Sequence, residues 1–89
     1  MKTATYILVV EGDGERGYSA YYPDVPGCVT AGDSIDETLR LASEALEFHL
    51  EDDPDPPSAR SLAEILADPE EAGDFDGAEV FAAVAYRAR

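Results

Sequence analysis

Carboxylates supply most of the reactive chemistry in this chain: 20 of its 89 residues are Asp or Glu, against six Lys or Arg, one His and one Cys. Acidic groups converging from a first strand, a first helix and a last strand could hold two metal ions for phosphoryl cleavage. Glu11, Glu37 or Glu44, and Glu79 are the candidates for that role. Glu11 and Glu79 lie at the ends of apolar strands, where charged residues ordinarily meet solvent, and Glu37 is accounted for as a helix cap. A net charge of −14 would also have to attract a polyanion. Metal-dependent nuclease activity is therefore the least favoured reading, and no metal or cofactor is expected.

The remaining reactive residues have plainer explanations. His49 has only Glu44 and Glu47 nearby in sequence, and near a helix C-terminus its imidazole suits the dipole or packs beside Leu46 and Leu50. Cys28 has no evident base or cation to lower its pKa, which points to a small buried thiol rather than a nucleophile. One cysteine also excludes an internal disulfide framework and zinc-finger spacing. Glycines at 12, 14 and 17 give a loose G-x-G-x-x-G, but here the loop joins two strands instead of opening a helix. Tyr18, Tyr21 and Tyr22 could stack bases, yet they lack basic companions, so sheet packing explains them better.

The elements that must position these groups follow from periodicity. Thr5 to Glu11 reads as a strand apolar on both faces, Tyr6, Leu8 and Val10 on one and Ile7 and Val9 on the other, hence central. A loop over 12–17 leads to a second, antiparallel strand, Tyr18 to Tyr22, and Cys28 to Ala31 makes a short third. Ser34 and Glu37 form a capping box before the stripe Ile35, Leu39, Ala42, Leu46 and Leu50, which predicts a helix ending near Leu50 or Glu51. An acidic, proline-rich linker over 51–57 cannot continue it. A shorter helix from Ser58 or Ser61 to about Ala67 follows, closed by Asp68-Pro69, and Glu79 to Arg87 is a last strand apolar on both faces.

The order is thus β-β-β-α-α-β, an α+β class with sheet order 3-2-1-4. A crossover through the helices would make the last strand parallel to the first. With helices on one face only, the other face would expose either Ile7 and Val9 or Tyr6, Leu8 and Val10, with tyrosines and part of the last strand. Exposed apolar area of that kind implies self-association, to a dimer or tetramer, through the face or an edge strand.

The stretch Tyr22-Pro23-Asp24-Val25-Pro26-Gly27-Cys28 builds a rigid corner between strands, with Pro26-Gly27 suited to the centre of a type II turn. Preceded by Gly17-Tyr18-Ser19-Ala20-Tyr21 and followed by Thr30-Ala31-Gly32-Asp33-Ser34 with Asp36, Glu37 and Leu39, it resembles the HicB-like antitoxin family over roughly residues 5 to 50. The resemblance implies a two-layer, partial ribonuclease H-like fold and a role neutralising HicA, a small basic RNA-cleaving toxin. Tyr22, Pro23, Asp24, Pro26, Gly27, Cys28, Gly32, Ser34 and Glu37 would then be structural. Many relatives append a helix-turn-helix or ribbon-helix-helix segment. This chain stops at Arg89, so residues 1–89 are expected to be a single HicB-like antitoxin domain with no C-terminal DNA-binding domain.

Eighty-nine residues with 45% apolar content make one ordinary globular core. No leader or membrane-length apolar run is present, so a cytoplasmic protein is expected. Asn and Gln are absent and Arg outnumbers Lys five to one, compatible with a thermophilic source or with GC-biased coding. One cluster breaks a local rule: Glu47, Glu51, Asp52, Asp53 and Asp55 gather at the C-terminal end of the first helix, where the dipole disfavours each anion by ~0.3–1 kcal/mol. They are the candidate partner-binding residues, since a docked basic protein would compensate them; a solvated linker that aids solubility carries equal weight. The favoured function is an antitoxin that masks a basic toxin without catalysis or direct nucleic-acid binding. The alternative is a solitary homo-oligomer without a toxin partner.

Overall fold

A computed structural model describes residues 3–87. The elements are β1 (Thr3–Asp13), β2 (Gly17–Tyr21), β3 (Val29–Gly32), α1 (Ile35–Leu50), α2 (Leu62–Ala67), α3 (Pro69–Ala72) and β4 (Val80–Arg87). One four-stranded sheet has the order β3-β2-β1-β4, as the α+β reading expected, and β1 lies at its centre. Tyr6, Leu8 and Val10 of β1 join Ala20, Tyr22, Val25 and Cys28 in a buried cluster. Against it α1 lays Ala42, Leu46 and Leu50, spaced so that successive turns meet the same surface. Burying Leu46 alone contributes about 2 kcal/mol.

Three tyrosine hydroxyls fasten this layer. Tyr22 donates to the Ala42 carbonyl at 2.8 Å, Tyr86 to the Leu50 carbonyl at 3.0 Å and Tyr6 to the Pro57 carbonyl at 2.6 Å. Each ring fills the core while its hydroxyl donates to a backbone carbonyl, so the buried O–H keeps a partner. The Leu50 carbonyl belongs to the last turn of α1, where no further helix residue can reach it. Burial, and then Cys28, push the Tyr22 hydroxyl well above its ordinary range, so it stays a donor.

Two expectations about the sheet are corrected. The last strand is antiparallel to the first, not parallel: Thr3 faces Arg87 and Val10 faces Val80. The reason is the number of traverses. β3 runs in the direction of β1, because both are antiparallel to β2. Helix α1 therefore returns the chain to the end where β1 starts, beside Tyr86. A single return would have made β4 parallel, but residues 51–79 make a second traverse and β4 enters from the far end.

That second traverse also covers part of the face expected to be bare. Residues 59–62 and Glu64 stand across a groove from Thr3, Thr5 and Ile7. Phe75 meets Phe81 edge-on, with centroids 5.3 Å apart. Val9 and Ile65 are fully buried although neither belongs to the main cluster. What remains open there is narrower than the sequence suggested: Thr5, Ala83 and Ala85 are exposed.

Caps and turns follow the sequence closely, with two differences. Ser34 accepts from the Glu37 amide at 3.0 Å as expected, but the Glu37 carboxylate reaches the Asp33 amide, at 2.8 Å, one residue beyond the reciprocal position. Helix α2 has the full capping box of Ser61 and Glu64. Instead of ending there, the chain restarts: Asp68 caps α3 and Pro69 occupies its first turn, where a missing N–H costs nothing.

Gly32 is fixed by crowding. A β-carbon there would lie 2.6 Å from the Thr38 hydroxyl and 3.0 Å from its amide nitrogen, and Thr38 is fully buried with its hydroxyl donating to the Ser34 carbonyl. Gly32→Ala should therefore destabilise the domain by about 1–3 kcal/mol, read as a lower urea midpoint with an unchanged m-value.

Candidate functional site

The corner after β2 is two consecutive turns. The Val25 amide donates to the Tyr22 carbonyl and the Cys28 amide to the Val25 carbonyl, both at 3.1 Å. Pro23 and Pro26 hold the second position of each, and Gly27 has φ of 85° at the third position of the second turn, the type II geometry expected. Tyr22 and Cys28 are buried, and burial raises the thiol's pKa, against the thiolate.

Asp24 does more than shape the turn. Its carboxylate accepts from the Arg60 backbone amide at 2.6 Å and from Arg60 Nε at 2.7 Å. The same guanidinium donates to Asp68 at 3.0 Å and Glu71 at 2.5 Å. One arginine thus ties the β2–β3 corner to both short helices, and Asp24, followed by Glu71, holds its charge firmly on. Sequence reading missed this clamp; a lone arginine between a proline-rich linker and a capped helix was the available signal.

The carboxylates considered for metal chemistry do not converge. Glu11 and Glu79 share an open cleft with Asp13, Asp74 and Asp76. Glu79, however, accepts from the amides of Asp76 and Gly77, and Asp13 from those of Glu15 and Arg16. Glu37 serves the Asp33 amide, and Glu44 lines a different groove. Among the described residues no group of three or more His, Cys, Asp or Glu side chains could hold a metal ion, and no helix is long and apolar enough to cross a membrane. His49 is exposed beside the Gly27 turn.

The acidic end of α1 gathers five carboxylates, Glu47, Glu51, Asp52, Asp53 and Asp55, within nine residues. Glu47, Glu51, Asp52 and Asp55 are exposed and Asp53 is half-buried. Asp53 donates its amide to the Leu50 carbonyl and accepts the Asp55 amide at 2.9 Å, which folds the first linker residues back against the helix end. Among the described residues the side chains of Glu47, Glu51 and Asp52 make no hydrogen bond or ion pair. His49 is the only basic residue in the last turn of α1, and the carboxylates there meet the negative end of the helix dipole.

Between them stands a residue that sequence reading passed over. Phe48 is 76% exposed, the most exposed large apolar side chain described. With Glu44, Glu47, Glu51 and Tyr86 it lines a groove of ≈ 290 Å³. The signal was present: an aromatic ring out of phase with the stripe Leu39, Ala42, Leu46 and Leu50 must point away from the core.

Comparisons with known proteins agree with this architecture. Residues 6–84 match the family model described as "HicB_like antitoxin of bacterial toxin-antitoxin system". Antitoxin HicB 1 of Photorhabdus laumondii subsp. laumondii is 38% identical over 56 residues, 58% of this chain and 36% of that protein. The crystal structure of the N-terminal domain of Burkholderia pseudomallei antitoxin HicB superposes with a TM-score of 0.72 at 25% identity, over 94% of this chain and 99% of that one. A HicA3 and HicB3 toxin-antitoxin complex contains a chain of the same fold, with a TM-score of 0.67 at 22% identity over 91% of this chain and 95% of that one. The chain spans between 36% and 67% of the length of the curated relatives it matches.

Proposed function

The chain belongs to the HicB-like antitoxin family of bacterial toxin-antitoxin systems, and from that premise we propose that it neutralises a small basic toxin of the HicA kind by covering it. The observation that carries the proposal is the exposed acidic end of α1, where the Glu47, Glu51 and Asp52 side chains have no partner among the described residues, on a domain of net charge −14. A ribonuclease must present a cationic surface to its RNA. An anionic protein of complementary shape competes for that surface, and its approach is steered by the field of the whole molecule. The mechanism is occlusion with no chemical step, so the chain needs neither metal nor cofactor. The scaffold residues from Tyr22 to Glu37 fix the corner and the start of α1, and α1 then carries the acidic end to the surface.

The test is capture. Tagged chain, isolated from its native cell, is expected to retain a small basic protein at low salt and release it progressively as salt rises. Failure to retain any basic protein above background would remove this reading.

Self-association is a second reading with its own observation. β4 is an edge strand, and from Val80 to Tyr86 it carries no charged residue. Such an edge can extend its ladder into a second copy. Light scattering on the purified chain is expected to give a mass above that of one 9.5 kDa chain, whereas a monomer at every concentration would exclude it.

A further inference from the structure

We propose that the groove at Phe48 is a seat for an arginine side chain of the basic partner, an assignment that rests on the antitoxin reading above. Three features of the groove select that occupant. The first is the exposed ring. Phe48 stands 76% in solvent, so one face of its π-system is open to a cation. The second is the rim. Glu44 precedes Phe48 by one turn and Glu51 follows by one, so both flank the ring along the helix, and Glu47 bridges them on the neighbouring row. The third is the wall. Tyr86 closes the groove on the β4 side, and its hydroxyl is already committed to the Leu50 carbonyl, which fixes the ring in place.

A purely apolar visitor would strip water from the glutamates without repaying them, and an anionic one would be repelled. A guanidinium suits both surfaces at once: it stacks flat on an aromatic face and offers paired N–H donors to a carboxylate. A lysine ammonium supplies charge but neither the plane nor the fork. One guanidinium already lies near this rim. Arg40 reaches Glu44 at 3.6 Å, with both side chains more than 60% exposed, a loose pair that a partner's arginine can displace.

The test uses the intact chain and two blocked dipeptides, acetyl-Arg-Arg-amide and acetyl-Lys-Lys-amide, followed by NMR. The arginine peptide is expected to shift the Phe48 ring protons and those of Tyr86, and to bind about tenfold more tightly than the lysine peptide. Phe48→Ala should weaken arginine binding by about tenfold with an unchanged melting temperature, since the ring is not part of the core. Glu15→Gln, a distant acidic position, should leave it unchanged. Equal binding of the two peptides, or undiminished binding by Phe48→Ala, would overturn the seat. Capture of the basic toxin separates the two claims. Equal retention by wild type and Phe48→Ala rejects the seat and keeps the antitoxin reading. No retention by either, with the arginine peptide still shifting the ring, upholds the seat and rejects that reading.

Discussion

Arg60→Ala is expected to lower the stability of the domain by about 2–3 kcal/mol, seen as a fall of roughly 10–20 °C in Tm for a domain of this size. The guanidinium serves three carboxylates on three separate segments, Asp24 on the β2–β3 corner, Asp68 at the joint between α2 and α3, and Glu71 within α3. Removing it leaves Asp24, whose side chain is 8% exposed, without a cationic partner. It also leaves the second traverse held to the sheet by the Tyr6–Pro57 hydrogen bond, by Ile65 and by the aromatic pair Phe75 and Phe81. Arg60→Lys separates charge from geometry: a point charge reaches one carboxylate at a time, so it should recover less than half of the loss. Thermal unfolding of the three proteins measures this directly. Indistinguishable melting temperatures would show that the short helices are held by packing alone.

Glu47→Lys combined with Glu51→Lys is expected to weaken association with the basic toxin by about a hundredfold at low salt, while raising the stability of the free chain by up to about 1 kcal/mol. The opposite signs are the point. At the C-terminal end of α1 a carboxylate sits against the negative pole of the helix and an ammonium would be welcome there, so folding alone favours the substitution. Retaining acid at this position makes sense if something outside the chain supplies the positive charge. Titration calorimetry at low and high salt, paired with urea unfolding of the free variants, reads both effects. Undiminished affinity would mean that the toxin docks elsewhere.

Most of the fold was legible because each signal was local. The capping residues Ser34 and Ser61, the period of Leu39, Ala42, Leu46 and Leu50, and the Pro26-Gly27 turn each act within a few residues. The sheet order followed from β1 being apolar on both faces. What stayed hidden depended on how segments far apart in sequence meet. The antiparallel direction of β4 turns on whether residues 51–79 traverse the sheet once more, and an irregular linker with two short helices has no periodicity to say so. The same traverse buries Val9 and Ile65, which made the second face smaller than expected. The Asp24–Arg60 pair spans 36 residues, and only the closed fold brings its ends together. Of the candidate site, the acidic end of α1 was legible as a broken dipole rule, whereas Phe48 was overlooked because a search along the apolar stripe passes over residues outside it.

On the proposed reading this chain acts by covering a cationic ribonuclease surface with its own anionic one. RNA cleavage by the toxin, titrated with purified chain in physiological salt, tests it most directly. Cleavage is expected to fall linearly to background as the chain approaches stoichiometric amounts, and the Glu47→Lys, Glu51→Lys protein is expected to fail to produce the fall. Cleavage that continues undiminished in excess chain would contradict it.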